Sequence, residues 1–223
     1  MSYYNLGKTY WRQGDHKTAI NFYERGLKIV KEVGDRAAEG TVNGNLGIAY
    51  QSLGDLKRAI DCHKRHLKIS KEVRDKAGEG RAYCNLGIAY KSQGDFKTAI
   101  DFHERHLIIA KEVGDKTGEG WAYGNLGNAY QGLGDFTKAI DYHKRDLKIV
   151  KELGDKAGEG SAYCNLGNAH HSLGNFKTAI NFYESDLEIA KEVGDKAGEG
   201  RILPLLIEVC WTSNQPFTTI SFN

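Results

Sequence analysis

The chain has 223 residues, 27% of them Asp, Glu, Lys or Arg, and a net charge of +2. So even a balance excludes bulk electrostatic attraction to nucleic acid or to an anionic membrane surface. The most apolar run, residues 202–211, is too short to span a bilayer and contains Glu208.

The opening residues, MSYYNLGKTY, carry no basic segment followed by an apolar core, so no secretory leader is expected. From there the chain repeats itself. Asn5, Asn45, Asn85, Asn125 and Asn165 stand one unit apart, as do Ala19, Ala59, Ala99, Ala139 and Ala179. The unit is clearest in residues 81–120, RAYCNLGIAYKSQGDFKTAIDFHERHLIIAKEVGDKTGEG. Five copies are expected, over 1–40, 41–80, 81–120, 121–160 and 161–200, followed by a divergent segment over 201–223 that starts a partial sixth helix. A fixed period of this length implies stacked supersecondary units rather than one closed globule.

Gly-Asp recurs at half the period, from Gly14-Asp15 to Gly194-Asp195, with Arg74-Asp75 and Gly174-Asn175 as exceptions. Glycine ends a helix in the left-handed conformation and Asp or Asn caps the next, so each pair is a stop followed by a start. Between them Phe96, Ala99, Ile100, His103, Leu107 and Ala110 share one helical face, and so do Tyr83, Leu86, Gly87 and Tyr90. The expected architecture is all-α, made of antiparallel helix pairs. Pro204 falls in the first turns of the sixth unit, and Trp211, Phe217, Ile220 and Phe222 either cover the last pair or trail from it. Neither end has the polar capping repeat that solenoids usually need.

Cys62, Cys84, Cys164 and Cys210 form no C-x-x-C pair. Cys84 and Cys164 lie two units apart, roughly 20 Å at ordinary helix spacing, against the ~7 Å limit for a disulfide. Reduced thiols and a cytoplasmic location are the expectation.

The pattern aromatic-x-x-Leu-Gly-x-x-Tyr (Tyr83, Leu86, Gly87, Tyr90), followed by Ala99 and His103, resembles the tetratricopeptide repeat. The wording RAYCNLGIAY, SAYCNLGNAH and KEVGDKAGE is similar to the longer repeats of the Partner-of-Inscuteable/LGN group. The resemblance implies a right-handed superhelical solenoid in which Gly47, Gly87, Gly127 and Gly167 let paired helices approach. It also implies a non-enzymatic adaptor that binds peptide segments of other proteins in a concave groove lined by first helices.

Chemistry-bearing residues yield no enzyme. His63, His103 and His143 share a repeat position with Tyr23 and Tyr183, which suits packing with a polar edge. The i, i+3 pairs His63/His66 and His103/His106 lack a third ligand, so no metal is expected. Gly78-Glu79-Gly80 and Gly118-Glu119-Gly120 place a carboxylate where a phosphate loop needs positive charge, and are read as flexible helix starts. No nucleophile has a neighbouring base, and no cofactor is expected. Asn45, Asn85, Asn125 and Asn165 are either an amide ladder for a bound backbone or inter-repeat hydrogen bonds, with the second favoured.

Positions that vary between copies are the better binding candidates. On the face that the resemblance assigns to the groove they are Lys8, Arg12, Gln51, Arg81, Lys91, Trp121, Asn128, Gln131, Asn168 and His171. This basic, amide-rich strip suits an acidic, extended peptide, with Arg81 and Trp121 foremost because Arg and Trp dominate binding hot spots. Lys8, Asn128 and Asn168 share a position that clamps a terminal carboxylate in some tetratricopeptide domains. Tyr4, Gly124 and Cys164 replace the companion Lys, which argues against such a clamp here. Two other readings remain: a structural module that self-associates end to end, and the sensor segment of a larger signalling protein.

Overall fold

The computed structural model describes residues 2–213; Phe217, Ile220 and Phe222 lie outside them. All regular structure among the described residues is α-helical. The chain divides into two compact units, residues 1–115 and 116–223. The first holds α1 (Tyr3–Arg12), α2 (His16–Val33), α3 (Arg36–Ser52), α4 (Leu56–Glu72), α5 (Lys76–Ser92) and α6 (Phe96–Val113). The second holds α7 (Lys116–Leu133), α8 (Phe136–Leu153), α9 (Lys156–Ser172), α10 (Phe176–Val193) and α11 (Lys196–Ser213). Within each unit every helix packs on the next, and α3 also meets α5 as α7 meets α9.

The Gly-Asp pairs act as stop and start. Asp15, Asp35, Asp55, Asp95, Asp135 and Asp155 each accept a hydrogen bond from the backbone N–H three residues on, at 2.9–3.1 Å. Asn175 makes no such bond. At the other exception, Arg74 takes the left-handed conformation (φ 59°) that glycine holds at the corresponding turns. A side chain with a Cβ pays about 1–2 kcal/mol there.

Packing inside each hairpin rests on missing side chains. His63, His103 and His143 on the second helices are fully buried. Their imidazoles lie where a Cβ on Gly47, Gly87 or Gly127 would stand. Tyr23 and Tyr183 press in the same way on Gly7 and Gly167. Fully buried Ala19, Ala59, Ala99, Ala139 and Ala179 keep the second helix small one turn earlier. Aromatic pairs flank this contact, such as Tyr90 with Phe102 at 5.4 Å and Tyr130 with Tyr142 at 5.3 Å.

Two expectations are refined. The Gly-Glu-Gly segments are helix starts, as expected, but closely packed ones. They lie in the first turns of α5 and α7, with Gly78, Gly80, Gly118 and Gly120 buried. The glycines are there because Ile109 packs on Gly80 and Ile149 on Gly120. The intervening carboxylate braces the turn: Lys71 and Lys76 reach Glu79 at 3.8 and 3.6 Å, and Lys76 also reaches Glu112 at 3.3 Å. Pro204, for its part, is the ninth residue of α11 rather than in its opening turns, because the helix already starts at Lys196. The residue four before it is Gly200, which has open space around it. That is where a proline ring presses on a helix.

Three outcomes follow. Gly87→Ala, which drives a methyl into His103, lowers stability by about 2–3 kcal/mol in denaturant unfolding. Arg74→Gly removes the left-handed penalty and raises stability by about 0.5–1 kcal/mol after its entropic cost. The third concerns pH. Burial pushes His63, His66 and His103 in the first unit down to about 4, 4 and 3, and lowers His106 as well. These groups stay neutral when folded but take up protons when unfolded, so their contribution is lost as pH falls below about 6.5. In the second unit burial raises Asp146 and Asp186 to about 7 and 6, so their contribution grows as pH falls through that range, opposing His143. Native-state hydrogen exchange at pH 7 and pH 5 should therefore show α3–α6 losing more protection than α8–α10.

Candidate functional site

The candidate binding residues all stand on α1, α3, α5, α7 and α9, the first helices of the hairpins. In the first unit, Lys8 and Arg12 are exposed on α1 and Arg81 is exposed on α5, while Gln51 and Lys91 are half-buried. Arg81 pairs with Asp75 at 3.5 Å, so part of its charge is already answered. A recess of about 600 Å³ opens between α3 and α5, with Gln51 and Asn85 at its edge and Ile48, Ile88 and Leu56 among its walls. The hydroxyls of Ser52 and Ser92, also in its lining, donate to Ile48 and Ile88 carbonyls at 3.1 and 2.9 Å. The structure thus brings Gln51 and Asn85 together around an aliphatic, uncharged hollow. Lys8, Arg12, Arg81 and Lys91 do not line it.

In the second unit Trp121 is 63% exposed on α7. Asn128 and Gln131 are half-buried on the same helix. Asn168 is engaged internally: Tyr183 Oη donates to its Oδ1 at 2.8 Å, and its Nδ2 faces Cys164 Sγ at 3.8 Å. His171 lies against the Phe176 ring, centroids 5.5 Å apart. These two side chains are packing groups as much as surface ones.

The asparagine series divides. Asn45 donates to the Thr41 carbonyl of its own helix at 2.9 Å. Asn85, Asn125 and Asn165 are half-buried, and among the described residues their side-chain amides make no hydrogen bond. The inter-repeat bond that would give them a purely structural role is therefore not formed, and their donors and acceptors stay open to a ligand.

The buried histidines offer no chemistry. Among the described residues both ring nitrogens of His63, His103 and His143 lack hydrogen-bond partners, and no group of three or more His, Cys, Asp or Glu could hold a metal ion. With their pKa values pushed down by burial, the rings are neutral packing groups at ordinary pH. Cys62, Cys84 and Cys164 have their thiols pushed up to about 11 by burial, which keeps the thiolate fraction small and thiol exchange slow near neutral pH. No helix among the described residues is long and apolar enough to cross a membrane.

Two features escaped the sequence reading. One is the part played by Ile48 and Ile88: their repeat position, shared with Lys8, Asn128 and Asn168, was placed on the groove-facing side, but the two isoleucines were not taken as binding residues. The other is the buried position occupied in turn by Gly26, His66, His106, Asp146 and Asp186. The change from imidazole to carboxylate in a buried column was visible in the aligned copies, but its burial was not.

With this geometry established, the comparisons are informative. The tetratricopeptide repeat family matches residues 38–112 and 118–192, and again residues 2–29. No curated protein sequence matches the chain. Among solved structures, BtubC (BKLC) from P. vanneervenii is similar at 22% identity and a TM-score of 0.77, over 85% of this chain and 79% of that one. A Rap protein complexed with Competence and Sporulation Factor matches at 17% identity and a TM-score of 0.78, over 93% and 61%. A signal transduction ATPase from Pyrococcus horikoshii, with a tetratricopeptide repeat sensor, matches at 19% identity and a TM-score of 0.78, over 93% of this chain and 31% of that one. At these identities the likeness is one of fold. With most of its length matched, the chain belongs to the tetratricopeptide repeat family.

Proposed function

We propose that the chain is a non-enzymatic adaptor that holds an extended peptide segment of a partner protein against the exposed faces of its first helices. The observation that carries this reading is the recess between α3 and α5, where aliphatic walls meet the unspent amide of Asn85 and the side chain of Gln51. Such a hollow suits an aliphatic side chain, while an amide pairs with the flanking peptide backbone through both its donor and its acceptor. Exposed Trp121 supplies a large, rigid contact in the second unit. Lys8, Arg12 and Arg81, exposed on the same class of helix, favour acidic residues in the partner. The structure of a Rap protein complexed with Competence and Sporulation Factor adds a relative in fold that takes a ligand. The narrower likeness to the Partner-of-Inscuteable/LGN group has no support among the comparisons, and the proposal does not draw on it.

The test begins with a peptide selected from a displayed random library on the full chain. Asn85→Ala, Trp121→Ala and Arg81→Ala should each leave the unfolding transition in place. The first two should weaken the selected peptide about ten-fold or more, and Arg81→Ala by a smaller factor that shrinks as salt rises. Unchanged affinity in all three variants removes the assigned face. Mass that grows with concentration in light scattering, without any selectable peptide, favours a self-associating module instead.

A further inference from the structure

The buried repeat position held by Gly26, His66, His106 and Asp146 in the earlier copies is Asp186 in the last, where it borders a cavity. About 590 Å³ lies between α9, α10 and α11, lined by aliphatic Ile189, Val193, Ile202 and Leu205, by Asp186, and by the charged side chains Lys156, Asp195 and Arg201. Asp186 is 9% exposed. Its Oδ1 lies 2.7 Å from where a Cβ on Gly160 would stand, so the glycine is what lets the carboxylate sit there. A buried carboxylate ordinarily has a cation or several hydrogen-bond donors beside it. Here burial together with Asp195 holds the carboxyl above its usual range against the pull of Arg201. Arg201 itself pairs with Asp195 at 3.7 Å, and Lys156 with Glu159 and Glu192 at 3.3 Å. Among the described residues no lysine or arginine forms an ion pair with Asp186.

With Lys156 held by Glu159 and Glu192 and Arg201 by Asp195, Asp186 is, among the described residues, the carboxylate of this aliphatic-walled cavity without an ion pair, and that arrangement fits one chemical class: a primary ammonium on an aliphatic stem. We infer that the cavity between α9, α10 and α11 binds a lysine side chain of a partner, its methylenes along Ile189, Ile202 and Leu205 and its ammonium on the Asp186 carboxylate. The stem gains by leaving water, and the ammonium supplies the charge-assisted hydrogen bonds that the buried carboxylate lacks. This site is opposite in sign to the exposed lysines and arginines of the first unit and does not depend on the acidic-peptide reading.

The first unit contains its own control. Cys84 occupies the repeat position of Cys164, but there the buried group on the following helix is His106 rather than a carboxylate. The full chain is equilibrated with the disulfides of 2-aminoethanethiol, 2-mercaptoethanol and 3-mercaptopropionic acid under excess reductant, and occupancy at each cysteine is measured by peptide mass spectrometry. Equilibrium occupancy reports the non-covalent fit of the appended group. The expected order at Cys164 is cationic, neutral, anionic, with at least ten-fold between the extremes. The preference disappears in the near-isosteric Asp186→Asn, and Cys84 shows no such order. A thermal melt confirms that Asp186→Asn is folded. Equal occupancy by the three groups at Cys164, a preference that survives Asp186→Asn, or the same preference at Cys84 overturns the assignment.

Discussion

The constraint on which the rest depends is the close approach of an aromatic ring to a bare backbone. In each hairpin a His or Tyr on the second helix occupies the space that a Cβ would fill on the first helix, at Gly7, Gly47, Gly87, Gly127 and Gly167. This contact sets how near the two helices lie, and the fully buried alanines one turn earlier keep the second helix equally lean. Where the ring is an imidazole, desolvation leaves its polar atoms little to do, whereas the Tyr183 hydroxyl still donates to Asn168. Neither nitrogen of His63, His103 or His143 finds a partner among the described residues, and burial keeps the imidazoles neutral. Leaving a neutral imidazole without partners costs far less than leaving a charge, so a position that accepts Tyr also accepts His.

Between hairpins the holding is electrostatic as well as apolar. The acid of the Gly-Glu-Gly segments in α5 and α9 gathers a lysine from its own helix start and another from the preceding helix, as Lys71 and Lys76 do for Glu79 and Lys151 and Lys156 for Glu159. The lysine at the helix start then reaches on to the next second helix, as Lys76 does to Glu112 at 3.3 Å. Arg36, Glu39 and Glu72 make the corresponding set around α3. Most of these groups are partly exposed, so each pair contributes little alone. The glycines beside the acid let Ile109 and Ile149 of the following second helices come close.

Much of this was legible in the sequence, and the reasons are specific. A stop and a start written as Gly-Asp is a local signal, since Asp bonds an N–H three residues away and glycine takes the left-handed turn alone. Even the irregular turn at Arg74-Asp75 kept its place, with Arg74 forced into the conformation glycine would have held. The Gly-Glu-Gly segments were misjudged because two glycines in a helix look like weakness until the isoleucine that fills the gap is known. That partner stands about thirty residues downstream. Pro204 was placed too early for the same reason, since the start of α11 depends on Asp195 and the Lys196–Glu199 pair rather than on the copy boundary. On the candidate face, amide and basic positions could be identified from variation between copies. Which of them share a hollow could not, because that depends on how α3 and α5 lie side by side. The sequence reading weighted Arg81 for its charge, yet the recess gathers Asn85, Gln51, Ile48 and Ile88.

The division of labour in this account is that buried side chains shared by the copies hold the helices, while the partner is proposed to meet the first-helix faces, through the shared Asn85 as well as through positions that differ. The most direct measurement is a photo-crosslinking footprint on the full chain, using a library-selected peptide that carries a photoreactive residue at each position in turn. The account predicts adducts on α3, α5, α7 and α9, at or beside Ile48, Asn85, Trp121 and Asn165. Adducts confined to the outward surfaces of α4, α6, α8 and α10 would contradict it.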